Sequence, residues 1–204
     1  MRVLATVATV ATLGLLGGGA CSLNAPVPVA HVRLGPAVAS PPQVLLALPA
    51  VCNASSGDCA EQHRNAVAIA TRMSVEFGGY TMIDSERVNL ELRQRRERRL
   101  TGDTQETRQT EVTGALWVDA TPAEQREVLD TMAIDGLLAV KLSLTEPEGM
   151  SQLQHIRVAI ELLRVEPAEV VWSSHCTTVS GDHRSTAQAI DLATRCALEG
   201  ALLR

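Results

Sequence analysis

Between residues 137 and 178 the chain reads as three consecutive strands, the first two with the two-residue period of a β-strand. Leu138, Val140, Leu142 and Leu144 alternate with Ala139, Lys141 and Ser143. Ile156, Val158, Ile160 and Leu162 alternate with His155, Arg157, Ala159 and Glu161. Strict alternation gives each strand a buried face and a wetter face, as antiparallel neighbours have. The pattern predicts strands over 137–144, 153–165 and 169–178. The turns between them are Glu146-Pro147-Glu148-Gly149 and Glu166-Pro167-Ala168-Glu169. The rest of the domain reads as cover for this meander.

The unbroken apolar run over 43–51 predicts a strand buried on both faces, closed by Pro49. A helix follows over 60–77, with Ala66, Ile69, Ala70, Met73 and Phe77 on one face. Gly78-Gly79 ends it, one glycine taking the left-handed position. Residues 80–83 predict a second strand. Asp84-Ser85 caps a helix over 87–99, which has only a thin apolar stripe of Val88 and Leu92. The polar stretch 101–113 predicts a loop or edge ribbon. Thr121-Pro122-Ala123-Glu124 is a strong helix start, with Thr as cap, Pro at the first position and Glu closing a capping box. Ser185 or Thr186 caps a closing helix running to about residue 203. Its inward alanines, Ala193, Ala197 and Ala201, let it sit close to the sheet. The expected fold is a three-layer α/β/α sandwich. Its mixed sheet has about five strands and ends in the antiparallel meander and the C-terminal helix.

Hydrophobic residues make up 46% of the chain but aromatics only 2%, so the core is aliphatic and no aromatic platform for single-stranded nucleic acid is expected. The formal net charge of −5 also argues against nucleic acid as a partner. Residues 1–20 read as a secretory leader, with an apolar run from Val3 to Leu16 and small residues ahead of Cys21. Residues 21–42, with five prolines, read as a semi-extended tether carrying an incidental His31. Residues 43–204 form the domain. Leu15-Leu16-Gly17-Gly18-Gly19-Ala20-Cys21 resembles a bacterial lipobox, although Gly18 stands where that motif usually has Leu. The resemblance implies lipidation of Cys21 and membrane anchoring through two acyl chains. Ser22 in place of Asp implies the outer membrane. Four cysteines then remain, an even number in an oxidising compartment. Three pairings are open. The turn-forming residues 53–58 favour Cys52 with Cys59, leaving Cys176 with Cys196. A metal site from the four is disfavoured, because they contain no C-x2-C pair.

Several short patches resemble the α/β/α modules of bacterial envelope proteins: the TolB amino-terminal domain, the CsgG-like lipoproteins and the LpoB-type activators. They are the runs 44–49, 79–87, 133–140 and 165–173, the last containing Val170-Val171-Trp172-Ser173. The resemblance spans roughly residues 43–203. It implies a periplasmic accessory or assembly role with an envelope protein partner, no cofactor and no catalytic residues.

Three polar groupings have residue types capable of chemistry. Arg93, Arg95, Arg96, Arg98 and Arg99 form a basic run whose favoured reading is a solvated helix end, with contact to an anionic surface as the alternative. Asp182, His183 and Ser185 have hydrolase residue types, the alternative function, but lack a nucleophile elbow. His175 and Cys176 adjoin, yet neighbouring strand residues point to opposite faces. His63, on a helix beside Glu61 and Arg64, is expected at the surface, and His155 on the wetter strand face.

Overall fold

The computed structural model describes residues 28–36, 40–49, 57–99, 117–145, 153–181 and 184–202. Among them, the strands are β1 (His31–Leu34), β2 (Val44–Ala47), β3 (Thr81–Ile83), β4 (Gly136–Leu144), β5 (Gln154–Arg164) and β6 (Glu169–Ser180). The helices are α1 (Gly57–Glu76), α2 (Ser85–Arg99), α3 (Pro122–Thr131) and α4 (Thr186–Leu202), with a 3-10 turn at Trp117–Asp119. All six strands join one mixed sheet in the order β1-β6-β5-β4-β2-β3. The predicted loop at 101–113 lies outside the described residues.

β2 pairs in parallel with both β3 and β4, while β4, β5 and β6 form the predicted antiparallel meander. The chain steps from β2 outward to β3 through α1, then back past β2 to β4 through α2 and α3. Both crossovers favour the right-handed sense, so reversing direction puts their helices on opposite faces. α1 and α4 cover one face, over Leu45, Leu138, Val140, Ile156, Val158, Ile160 and Leu162. Val88 and Leu92 of α2, with Val128 and Leu129 of α3, cover Leu46 and Leu137 on the other. Adjacent residues Leu45 and Leu46 thus serve opposite layers, as the two-residue period requires. The closing helix presents Ala189, Ala193 and Ala197, all fully buried, and their small side chains allow close approach.

The local signals hold. Thr121 and Glu124 form the predicted capping box. Gly79 takes the left-handed conformation, with φ 68°. The Cys176–Cys196 disulfide forms, with its Cα atoms 6.0 Å apart, and ties β6 to α4.

The expected mixed sheet is present with six strands, the sixth, β1, coming from the segment read as tether. β1 pairs antiparallel with β6, matching His31 with His175 and Leu34 with Trp172. Its inner side rests on α4, where a Cβ at Gly200 would lie 2.5 Å from Cβ of Ala30. Two burial expectations are corrected. Phe77, assigned to the buried face of α1, is 59% exposed beyond the end of that helix. His63 is not a surface residue but 2% exposed under α1. The cause is strand length. The last β2 bond to β4 is Leu48 N–H to Leu138 O, and β4 continues to Leu144. The next carbonyl facing that side, Val140 O, would be buried and unpaired. His63 Nε2 donates to it at 2.6 Å, which avoids a desolvation cost of about 1–3 kcal/mol.

Asp135 joins the two parallel strands at their start. Its carboxylate accepts from the backbone N–H groups of Gln43 and Val44 at 2.8–3.0 Å. Its own N–H donates to Val44 O, and its carbonyl accepts from Val165 N–H. A Cβ on the next residue, Gly136, would come within 2.4 Å of Leu45 and 2.8 Å of Pro42. Asp135→Ala removes the charged acceptor and is expected to lower stability by about 1.5–3 kcal/mol. Urea unfolding against the parent chain measures this, and an unchanged midpoint would refute the assignment.

Candidate interaction surface

The helices cover the sheet unevenly. α1 and α4 follow one face along the meander. On the opposite face, the packed cluster under α2 and α3 reaches Leu137 and Val165, near one end of β4 and β5. Beyond that end, alternation turns a row of polar side chains outward. β4 contributes Lys141 and Ser143, β5 contributes His155, Arg157 and Glu161, and β6 contributes Ser173, His175 and Thr177. β1 adds His31 and Arg33 at the sheet edge. Their neighbours Val158, Ile160, Ser174 and Cys176 point the other way and are buried. This polar face is the candidate functional surface.

Its charges are unevenly balanced. Lys141 Nζ lies 2.9 Å from Glu161 Oε2 and remains 64% exposed. Arg33 and Arg157 are exposed and make no ion pair among the described residues. His31 and His175 stack across the β1–β6 pair, with ring centroids 4.9 Å apart and planes 17° from parallel. Burial, then the positive fields of Arg157 and His31, pushes the His175 pKa below its ordinary 6.5. Among the described residues the face therefore carries three cations and one carboxylate, on a chain of net charge −5. Sequence alternation identified its β4 and β5 residues. It missed β1, and with it the histidine stack.

The arginine run is engaged differently. Arg95 donates to Glu91 at 2.8 Å and to Glu127 at 3.0 Å, and also bonds Thr131. Arg96 holds Glu124 through two bonds of 3.2 Å. The contacts to Glu127, Thr131 and Glu124 fasten α2 to α3. Arg98 reaches Glu91 at 3.4 Å, Arg93 is exposed, and the side chain of Arg99 lies outside the described residues. A membrane surface rewards each neighbouring cation by about 1 kcal/mol. With Arg95 and Arg96 committed internally, the run is a weaker anionic-surface candidate than its sequence suggested.

The other predicted residues separate. Cys21, Cys52, Asp182 and His183 lie outside the described residues. Cys59 is buried in α1 and disulfide-bonded. Ser185 Oγ accepts from Gln188 N–H at 3.2 Å while Gln188 Oε1 accepts from Ser185 N–H at 3.0 Å, so that serine serves as the cap of α4. Cys176 and His175 point to opposite faces, as expected. Among the described residues, no group of three or more His, Cys, Asp or Glu could hold a metal, and no helix is long and apolar enough to cross a membrane.

A cleft of about 740 Å³ lies at the carboxyl ends of β2 and β3, where ligands often bind in sheets with such a reversal of strand order. Leu48, Val67, Met82 and Ile83 line it, with Arg64 and Arg72 of α1. It is more apolar than the open sheet face and has no convergent set of acid, base and nucleophile.

No family model matches the chain, and no curated protein matches it. Solved structures of similar fold do exist. The PelC dodecamer from Paraburkholderia phytofirmans superposes with a TM-score of 0.50 at 16% identity, covering 86% of this chain and 96% of that one. A PelC variant from the same organism gives 0.52 at 13% identity, covering 87% and 99%. Lipoprotein GNA1162 from Neisseria meningitidis gives 0.48 at 11% identity, covering 80% and 100%. At these identities the likeness is one of fold.

Two pH effects follow. Arg96, aided by the Thr121 N–H, holds the Glu124 carboxyl at about 2, against its usual 4.5. The stability it contributes is complete above pH 4.5 and is lost as pH falls toward about 2. Glu124→Gln should flatten that part of the acid-unfolding curve, and an unaltered curve would contradict the pairing. His175 behaves differently, because the folded chain holds its proton less tightly than the unfolded chain. Its contribution is complete above pH 6.5 and is lost as pH falls below that value. His175→Gln should reduce the stability difference between about pH 7.5 and about pH 5.5. An undiminished difference in denaturant titrations would exclude His175 as its source.

Proposed function

We propose that this chain is a lipid-anchored lipoprotein of the bacterial envelope with a non-catalytic, partner-binding role. The acyl chains on Cys21 hold it to the periplasmic side of the outer membrane, and the α/β domain presents its open sheet face to other envelope components. The observation that carries the reading is a pairing. A lipobox-like cysteine stands ten residues before β1, and the described residues leave one sheet face polar with no helix over it. Cys52 pairs with Cys59, which completes the cysteine arithmetic of an exported protein.

The fold likeness to PelC supports the architecture, and the dodecameric state of that protein makes self-association a natural component of the role. A ring or smaller oligomer would place several open faces side by side. The hydrolase alternative is weaker, because Ser185 is occupied as a helix cap.

Membrane fractionation of cells, with mass analysis of the mature N-terminus, tests the anchor. The expected result is a membrane-bound protein starting at a diacylated Cys21, and release into the soluble periplasm for Cys21→Ser. An unmodified Cys21 in a soluble parent protein would overturn the reading. Light scattering of the purified chain would then give its assembly state.

A further inference from the structure

We propose that the open sheet face is a docking surface for anionic phospholipid headgroups, so that the domain lies against the membrane instead of hanging free on its tether. The proposal rests on the lipid-anchor reading for its setting. The face itself rests on geometry.

Two observations support the assignment. The first is reach. Cys21 precedes His31 by ten residues, and a fully extended chain spans at most about 3.3–3.6 Å per residue. The edge of the face therefore lies within about 35 Å of the anchored cysteine. β1 is also the strand through which the chain enters the sheet, so the face begins where the tether ends. Val29, two residues before His31, is 67% exposed and stands at that margin.

The second is charge complementarity. Arg33, Lys141 and Arg157 project from β1, β4 and β5 onto one side of the sheet, where Glu161 is the opposing carboxylate among the described residues. His31, His155 and His175 lie among them on the same side of the sheet. The stacked histidines share this face with Arg157, which stands two positions from the residue paired with His175. Ser143, Ser173 and Thr177 supply hydroxyls that can bond phosphate oxygens. Val179, opposite His155, and the exposed Val29 and Leu153 lie toward the margins, and no aromatic anchor other than the histidines stands among the central residues of the face. A broad headgroup layer fits this surface better than a protein helix would.

The test uses the Cys21→Ser chain, whose vesicle binding does not depend on acylation. Failure of the anchor and failure of this surface are thereby separated. Sedimentation with phosphatidylglycerol vesicles should exceed sedimentation with phosphatidylcholine vesicles, and should fall as salt rises from about 0.1 M to about 1 M. Arg33→Glu with Arg157→Glu should weaken binding by about tenfold or more. Arg72→Glu with Arg93→Glu makes the same change in net charge on the helices and should leave binding within about twofold. Thermal unfolding of both double variants checks that they remain folded. Equal binding to the two vesicle types, retention of binding by the sheet-face variant, or equal loss in both variants would overturn the proposal. So would binding to a soluble acidic polymer without binding to vesicles, or loss of self-association alone in the sheet-face variant.

Discussion

The structure depends on an inequality of strand length. β2 has four residues and β4 has nine, yet they are neighbours at the centre of the sheet. Where they run together, helices cover both faces and Asp135 fixes the start of each strand. Where β4 runs on alone, its free side needs another donor, and His63 supplies one to Val140. The same overrun carries β4, β5 and β6 past the layer formed by α2 and α3. One face of the meander stays under α1 and α4, and the other turns polar. The disulfide to α4 lies on the covered side. Stability and surface thus separate across the thickness of a single sheet.

That separation shapes the functional reading. On the covered side, aliphatic residues and small alanines fill the space between the sheet and the closing helix. The open side carries imidazoles, guanidiniums and hydroxyls at two-residue spacing on neighbouring strands. Such a surface can recognise charge and hydrogen-bonding partners over a wide area. It does not confine a small substrate, whereas the more enclosed cleft beside β2 and β3 is mainly apolar.

Much of this was legible in the chain because the governing signals are local. Thr121 and Glu124 lie three residues apart, and a capping box needs nothing else. Alternation through Ile156 to Leu162 sets strand, face and burial together. The failures share a different cause. His31 to Leu34 lacks a strong apolar rhythm and becomes a strand because β6 has a free edge to pair with. His63 is polar by type and buried because a carbonyl 77 positions away lacks a strand partner. Arg95 and Arg96 looked like a free basic run because their carboxylates lie on another helix. In each case a distant element decides the outcome, and no window around the residue contains it. The open face was therefore half visible: its β4 and β5 positions could be read directly, while the β1 edge and the stacked histidines required the fold.

The central claim is that one face of the meander is open while the other is sealed by α1 and α4. Histidine acylation by diethyl pyrocarbonate, read residue by residue by mass spectrometry on the native chain, tests it most directly. His155 on the open face should react rapidly, and His63 beneath α1 should react only after unfolding. Comparable native rates for the two, or a protected His155 with a reactive His63, would contradict the account.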